Sequence, residues 1–308
     1  MRGVRDAHRP RPHPGSADLP PSSERTSSAC RVSPLGSRHA PPRNRTRRRG
    51  GVGMNEIDPN AATRRRPEYW TILEALAARL GASKDVLGVI VFGSLARGSD
   101  TPSSDVDLIV LLAEGTDRGP ISSVLRKASA DTPLANKLTP IYFTPSSLSR
   151  ELAARPSFGG HLADEGVVLY RTPALDALDE QMEALTPLNQ RALEEELQDR
   201  TRLLEKLGHL ERMNGEFLPT LSQLYTLARS VIIVKLMQRG VRKYDWGEVF
   251  DAYSKIEPSL AGEIATLKNL RGYYEFVHDR GASAPDRRRA DRAAVESAMD
   301  AVVKVARS

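Results

Sequence analysis

Apolar residues recur along this chain with two different periods, and the change between them divides it. Short apolar runs at 89–92, 108–112, 138–143 and 167–170 read as buried strands. Between them, 69–80, 121–130 and 146–154 carry apolar residues at three- and four-residue spacing and read as helices. Leu73, Leu76, Ala77 and Leu80 share a face of the first, and Gly81 stops it. Pro140 inside the third run places that strand at a sheet edge. Past Thr172 only the helical period remains, over 175–185, 188–213, 217–239, 246–256, 260–278 and 286–307. Pro187, Gly215, Gly240, Pro258 and Gly281 divide these stretches, and Leu193, Leu197, Leu204, Leu207 and Leu210 form one stripe. The expected fold is α+β, a small mixed β-sheet of four or five strands with packed helices over 54–172, followed by an all-α helical bundle over 173–308.

The first 53 residues fit neither period. They are dense in Pro, Ser, Gly and Arg and contain no Lys, the composition of a disordered segment. Twelve Arg against Asp6, Asp18 and Glu24 give this tail +9, so the chain's overall +6 leaves −3 for the remainder. The basic character therefore belongs to the tail and gives no reason to assign a nucleic-acid surface to the folded part. Arg49-Gly50-Gly51-Val52-Gly53 lies directly before Met54, and Gly and Arg codons are G-rich. A translated ribosome-binding site with a native start at Met54 is favoured over an RNA- or membrane-attracting arm. The tail has no apolar core of a signal peptide, and no run of 18 apolar residues points to a membrane span. Cys30, the only cysteine, lies in the tail, so the body has neither a disulfide nor a thiolate metal site, and a cytoplasmic location is expected.

Candidate chemistry concentrates between 89 and 112. The strand 89–92 ends abruptly at Gly93-Ser94, and ten residues later come Asp105 and Asp107, followed by five apolar residues. Alternation along a strand turns both carboxylates to one face, where they would repel unless a cation lies between them. A hard cation that takes oxygen ligands, Mg²⁺, suits the pair. Glycine lets the backbone approach a phosphate, and the Ser94 hydroxyl with the amides of 95–97 can donate to its oxygens. A solvated turn is the bland alternative for these residues, and surface acids seldom precede five apolar positions.

Gly93, Ser94, Ala96, Arg97, Gly98, Ser104, Asp105, Asp107 and Leu108 resemble the motif of the DNA polymerase β-like nucleotidyltransferase superfamily, especially its small bacterial members. Residues 165–170 look like the closing strand of those domains, so the resemblance covers about 67–172. It implies transfer of a nucleotidyl group, AMP, from an NTP, ATP, to an acceptor hydroxyl with release of pyrophosphate. Asp105 and Asp107 would be catalytic and bind Mg²⁺, Gly93 and Ser94 would hold the β- and γ-phosphates, and Arg97 would add positive charge near the leaving group. An ordinary helix-surface arginine remains the alternative for Arg97.

The chain departs from the pattern at one point. Family members carry a third carboxylate on a later strand, here 138–145, where Thr139 is the occupant and no Asp or Glu is present. Glu248 and Glu275, among the late aromatics Tyr225, Tyr244, Trp246, Phe250, Tyr253, Tyr273, Tyr274 and Phe276, are the candidates to replace it as base. Those aromatics pack a bundle core or line an acceptor cleft. A helical domain after such a motif resembles drug-modifying nucleotidyltransferases and also a nucleotidyltransferase joined to a bundle of the HEPN type, ribonucleases marked by Arg and His with four to six residues between them. Arg271 with His278 fits that spacing, and so do Arg202 with His209 and Arg155 with His161, so the spacing discriminates nothing. The acceptor stays open between tRNA, protein and an aminoglycoside-like small molecule, with the helical domain as the surface for a homodimer. The rival reading is a degenerate nucleotide-binding regulator or toxin–antitoxin partner with little transfer activity.

Overall fold

The computed structural model describes residues 55–56, 66–102, 104–184, 189–214, 217–278 and 290–308. The expectations for the 1–53 segment and for a start at Met54 lie outside them. Among the described residues the chain runs β1 (Asn55–Glu56), α1 (Pro67–Gly81), β2 (Val86–Phe92), α2 (Gly93–Arg97), β3 (Val106–Leu112) and α3 (Arg118–Ser129). It continues through β4 (Leu138–Phe143), α4 (Pro145–Ala154), α5 (Pro156–Glu165), β5 (Val167–Arg171) and α6 (Pro173–Ala184). The sheet order is β1-β5-β2-β3-β4. β2 pairs antiparallel with β3 and β5, while β3–β4 and β1–β5 are parallel. β4, the strand with Pro140, has β3 as its neighbour at the sheet edge, where a missing amide donor breaks no ladder on the open side.

The strands are apolar at nearly every position because both faces of the sheet are covered. On one face Val89, Val91, Leu108 and Val110 pack against Trp70, Leu73 and Leu76 of α1 and Ile121 and Leu125 of α3. On the other, Ile90, Ile109 and Leu111 meet Leu148 and Leu152 of α4, Leu162 of α5, and Leu175 and Leu178 of α6. α4 starts sharply because Thr144 and Ser147 form a reciprocal capping box with Pro145 at the first helical position.

An all-α bundle follows, with α7 (Gln190–Asn214), α8 (Phe217–Gln238), α9 (Glu248–Ile256), a 3-10 turn (Pro258–Leu260), α10 (Ala261–Asn269), α11 (Arg271–Val277) and α12 (Arg292–Arg307). α8 is long and apolar enough to cross a membrane by length and composition. Here it is the axis of the bundle: Leu221, Tyr225, Val231 and Leu236 are buried with Leu193 and Leu204 of α7, Phe250 and Tyr253 of α9, and Val302 of α12. The stretch 260–278, expected as one helix, is broken at Leu270, which is buried between α10 and α11.

Three contacts seat the bundle on the sheet region. Glu196 of α7, 2% exposed, accepts from the Ser157 amide (3.0 Å) and hydroxyl (2.5 Å) at the start of α5. Tyr244, between α8 and α9, donates to Asp164 at 3.0 Å, and Arg242 donates to the same carboxylate at 2.9 Å. Gly160 permits the close approach, since a Cβ there would lie 2.7 Å from Met237 Cε and 2.8 Å from the Tyr244 hydroxyl.

Candidate active site

Asp107 lies within β3, with Phe92 of β2 and Thr139 of β4 as its register partners. Asp105 stands just before the strand, two residues earlier, and both acids line one cavity of about 470 Å³. That volume lies within the ordinary range for one small ligand, roughly 300–1,000 Å³. Gly93 closes the turn from β2 into α2 with φ 78°, and a Cβ there would sit 2.4 Å from Asp107 Oδ2. Only glycine lets the motif turn fold this tightly over the acid. Ser94 follows it into the same cavity. Gly93, Ser94, Asp105 and Asp107, expected from the sequence to meet, are thus brought together.

Two carboxylates on one strand face offer a hard, oxygen-only donor set. Among the described residues no third His, Cys, Asp or Glu completes a larger metal cluster with them. Mg²⁺ is commonly held by one or two carboxylates with substrate phosphates and water supplying the rest, so the residues present fit that ion.

The bundle supplies one wall. Arg229 of α8 donates to the Tyr244 carbonyl at 2.5 Å and lies 4.5 Å over the Trp246 ring, while its Nε is buried without a hydrogen-bond partner. Burial, aided by repulsion from Arg97, pushes its pKa down to about 10, so it remains a cation near neutral pH. Trp246 packs on Tyr274 (4.6 Å between centroids), and both reach the cavity. The two alternatives for the late aromatics divide between them: Tyr225, Phe250 and Tyr253 are core, and Trp246 and Tyr274 line the cavity.

A second wall is built from Ile141 and Phe143 of β4, Phe158 of α5, and an ion pair between Glu151 and Arg155 at 2.7 Å. Arg200 of α7 joins it, held at 3.0 Å by Glu196. Arg97 lines the cavity, but its guanidinium is engaged by Glu165, with Asp245 at 3.8 Å. Glu165 also meets His161 Nε2 at 2.6 Å, and the imidazole stacks on Tyr244 at 4.7 Å. Burial and the neighbouring Asp164 charge push the Tyr244 phenol far above its usual range, so it stays a donor to Asp164.

Glu248 and Glu275 do not line this cavity. Each is paired on the bundle, Glu248 with Lys243 and Glu275 with Arg271, both at 2.7 Å. Arg271 and His278 lie outside it too, and the His278 ring rests on Tyr274 at 4.4 Å. Of the arginine–histidine pairs, Arg155 and His161 reach the cavity. The sequence reading passed over Glu151, Arg155, His161, Arg200 and Arg229 as site residues, because their convergence depends on contacts between distant parts of the chain.

The fold is a mixed α+β, nucleotidyltransferase-like core followed by an all-α bundle, and residues 71–156 match the family model described as a nucleotidyltransferase domain. Among solved structures, spectinomycin adenyltransferase AAD(9) from Enterococcus faecialis with ATP and spectinomycin is similar over 76% of this chain and 99% of that one, with 12% identity and a TM-score of 0.43. A toxin–antitoxin structure with AMP-PNP is similar over 37% of this chain and 86% of that one, with 19% identity and a TM-score of 0.27. A nucleotidyltransferase-like protein from Exiguobacterium sibiricum 255-15 is similar over 77% of this chain and 74% of that one, with 13% identity and a TM-score of 0.33. No curated protein gives a significant match to the sequence.

Proposed function

We propose that this chain is an Mg²⁺-dependent nucleotidyltransferase that moves AMP from ATP to an acceptor hydroxyl and releases pyrophosphate. The observation that carries the reading is the convergence of Asp105, Asp107, Gly93 and Ser94 in one cavity walled by the cationic Arg229. Asp105 and Asp107 would hold Mg²⁺, which when bound neutralises triphosphate charge and aligns the reacting oxygens. Gly93 and Ser94 hold the β- and γ-phosphates, the glycine by admitting them close to the backbone and the serine by donating its hydroxyl. Arg229 lines the same space, and a guanidinium largely withdrawn from water binds phosphate strongly. Trp246 and Tyr274 exclude water from that wall, which strengthens each charge contact inside it.

A second reading is favoured by Thr139. It is the register partner of Asp107, and the resemblance implies a third acid at this position; a domain without that acid would bind nucleotide as a sensor or toxin–antitoxin partner and transfer little. Incubating the full chain with each of four α-labelled NTPs, Mg²⁺, and total RNA, lysate protein or aminoglycosides separates the two. Label on one acceptor class supports the enzyme. Nucleotide binding without pyrophosphate release supports the sensor.

A further inference from the structure

An acceptor hydroxyl attacking phosphorus has to give up its proton, and the Thr139 hydroxyl cannot take it near neutral pH. Two proton acceptors besides Asp105 and Asp107 line the cavity, Glu151 and His161. Glu151 Oε1 is already engaged by Arg155 at 2.7 Å. His161 is arranged differently. Its Nε2 lies 2.6 Å from Glu165 Oε2 and 3.5 Å from Arg97 Nη1. A carboxylate only accepts and a guanidinium only donates, so the shorter contact decides the tautomer: Nε2 carries the proton and donates it to Glu165. The lone pair of the neutral ring is then on Nδ1, which has no hydrogen-bond partner among the described residues and is not one of the sealed, unsatisfied polar atoms. The ring is fixed in place by stacking on Tyr244 and by an edge contact with Phe92 at 5.6 Å. Phe92 is the register partner of Asp107, so the imidazole stands one aromatic ring from the acid face.

Resting on the nucleotidyl-transfer reading, we infer that His161 is the general base of the reaction. Nδ1 takes the proton of the acceptor hydroxyl as that oxygen bonds to the α-phosphorus. The bond from the α-phosphorus to the bridging oxygen breaks, and pyrophosphate leaves with its electron pair. Glu165 is a positioning residue: it selects the tautomer and stabilises the imidazolium that forms, as the acid of a catalytic triad does. Arg97 fixes Glu165 and is itself met by Asp245, while the phenol of Tyr244 donates to Asp164, which Arg242 also holds. This gives Arg97 a structural part in the site that a phosphate contact alone does not require.

The test uses the full chain, Mg²⁺, α-labelled ATP and an acceptor that the wild type labels in cell extract. His161→Gln should lower kcat at least about 10²-fold, the usual contribution of a positioned base. Its affinity for Mg²⁺·AMP-PNP by calorimetry should be unchanged, and the pH profile of its rate should differ from that of the wild type. Glu165→Gln should lower kcat with KM for ATP unchanged, since the tautomer of His161 is no longer selected by a carboxylate. It keeps the inference testable if His161→Gln folds poorly. Wild-type kcat and pH profile in His161→Gln, or a silent Glu151→Gln beside an active His161→Gln, overturns the assignment alone. A wild type that labels no acceptor overturns nucleotidyl transfer, and the base with it.

Discussion

Replacing Glu196 by alanine removes a buried carboxylate that three donors share: the Ser157 amide at 3.0 Å, the Ser157 hydroxyl at 2.5 Å and Arg200 Nη2 at 3.0 Å. Each buried donor left without an acceptor costs about 1–3 kcal/mol, and breaking one side of a buried ion pair costs about 3–5 kcal/mol. These losses overlap, so Glu196→Ala should destabilise the chain by about 4 kcal/mol, which lowers Tm by roughly 10 °C at this size. Glu196→Gln keeps an oxygen for Ser157 but sets an amide against Arg200, and should fall between. Thermal unfolding followed by circular dichroism checks the order. The loss should be specific to the α5–α7 junction, so Ser157→Ala in the Glu196→Ala background should add little, as coupled neighbours are not additive. A Glu196→Ala chain melting within about 2 °C of wild type, well inside the expected loss, refutes the view that this carboxylate ties the bundle to the sheet region.

Arg229→Met removes a guanidinium whose pKa of about 10 instead of 12.5 corresponds to about 3 kcal/mol of unfavourable charge burial, against which it loses a charged hydrogen bond and a cation–π contact of similar total. Its Tm should therefore stay within a few degrees of wild type while calorimetry shows ATP affinity falling about tenfold or more, by loss of one charged contact. The depressed pKa means the native state binds this proton less tightly than the unfolded chain, so the Arg229 contribution to stability rises only above about pH 10 and is flat from pH 5 to 9. A pH-dependent gap between the Arg229→Met and wild-type urea midpoints inside that neutral window counts against the burial argument. Tyr225→Phe deletes a buried hydroxyl without a hydrogen-bond partner and should leave stability unchanged or raise it by about 1 kcal/mol, where a comparable loss in urea unfolding would reveal a partner for the oxygen.

Four strands were legible because each is a short apolar run, as in β2 and β3, which are buried on both faces, whereas β1, Asn55–Glu56, has no apolar residue and was not expected. The motif was legible because Gly93, Ser94, Asp105 and Asp107 are close in sequence and their spacing alone sets them on one turn and one face. Thr139 was singled out only through the family resemblance, and its place as the register partner of Asp107 came from the fold. α5 escaped notice: Pro156, Gly159 and Gly160 break its propensity, and the reason for Gly160 is contact with Met237 and Tyr244 on another helix. His161 and Glu165 sit on that helix; the sequence showed His161 only in an undiscriminating Arg–His spacing and Glu165 at the start of the closing strand, which instead begins at Val167. Arg200 and Arg229 look like any arginine on a long helix until the bundle folds against the sheet. Glu248 and Glu275, chosen for aromatic neighbours in the sequence, face other parts of the bundle because helical phase, not proximity along the chain, sets direction.

The most direct test of the central claim compares transfer from α-labelled ATP by the wild type with that by Asp107→Asn, alongside the Tm of each. If Asp105 and Asp107 hold the ion that organises the reaction, Asp107→Asn should lose about 10³-fold or more of the rate while melting no lower than wild type, because a like charge has been removed from the pair. Equal labelling by the two proteins would contradict the claim.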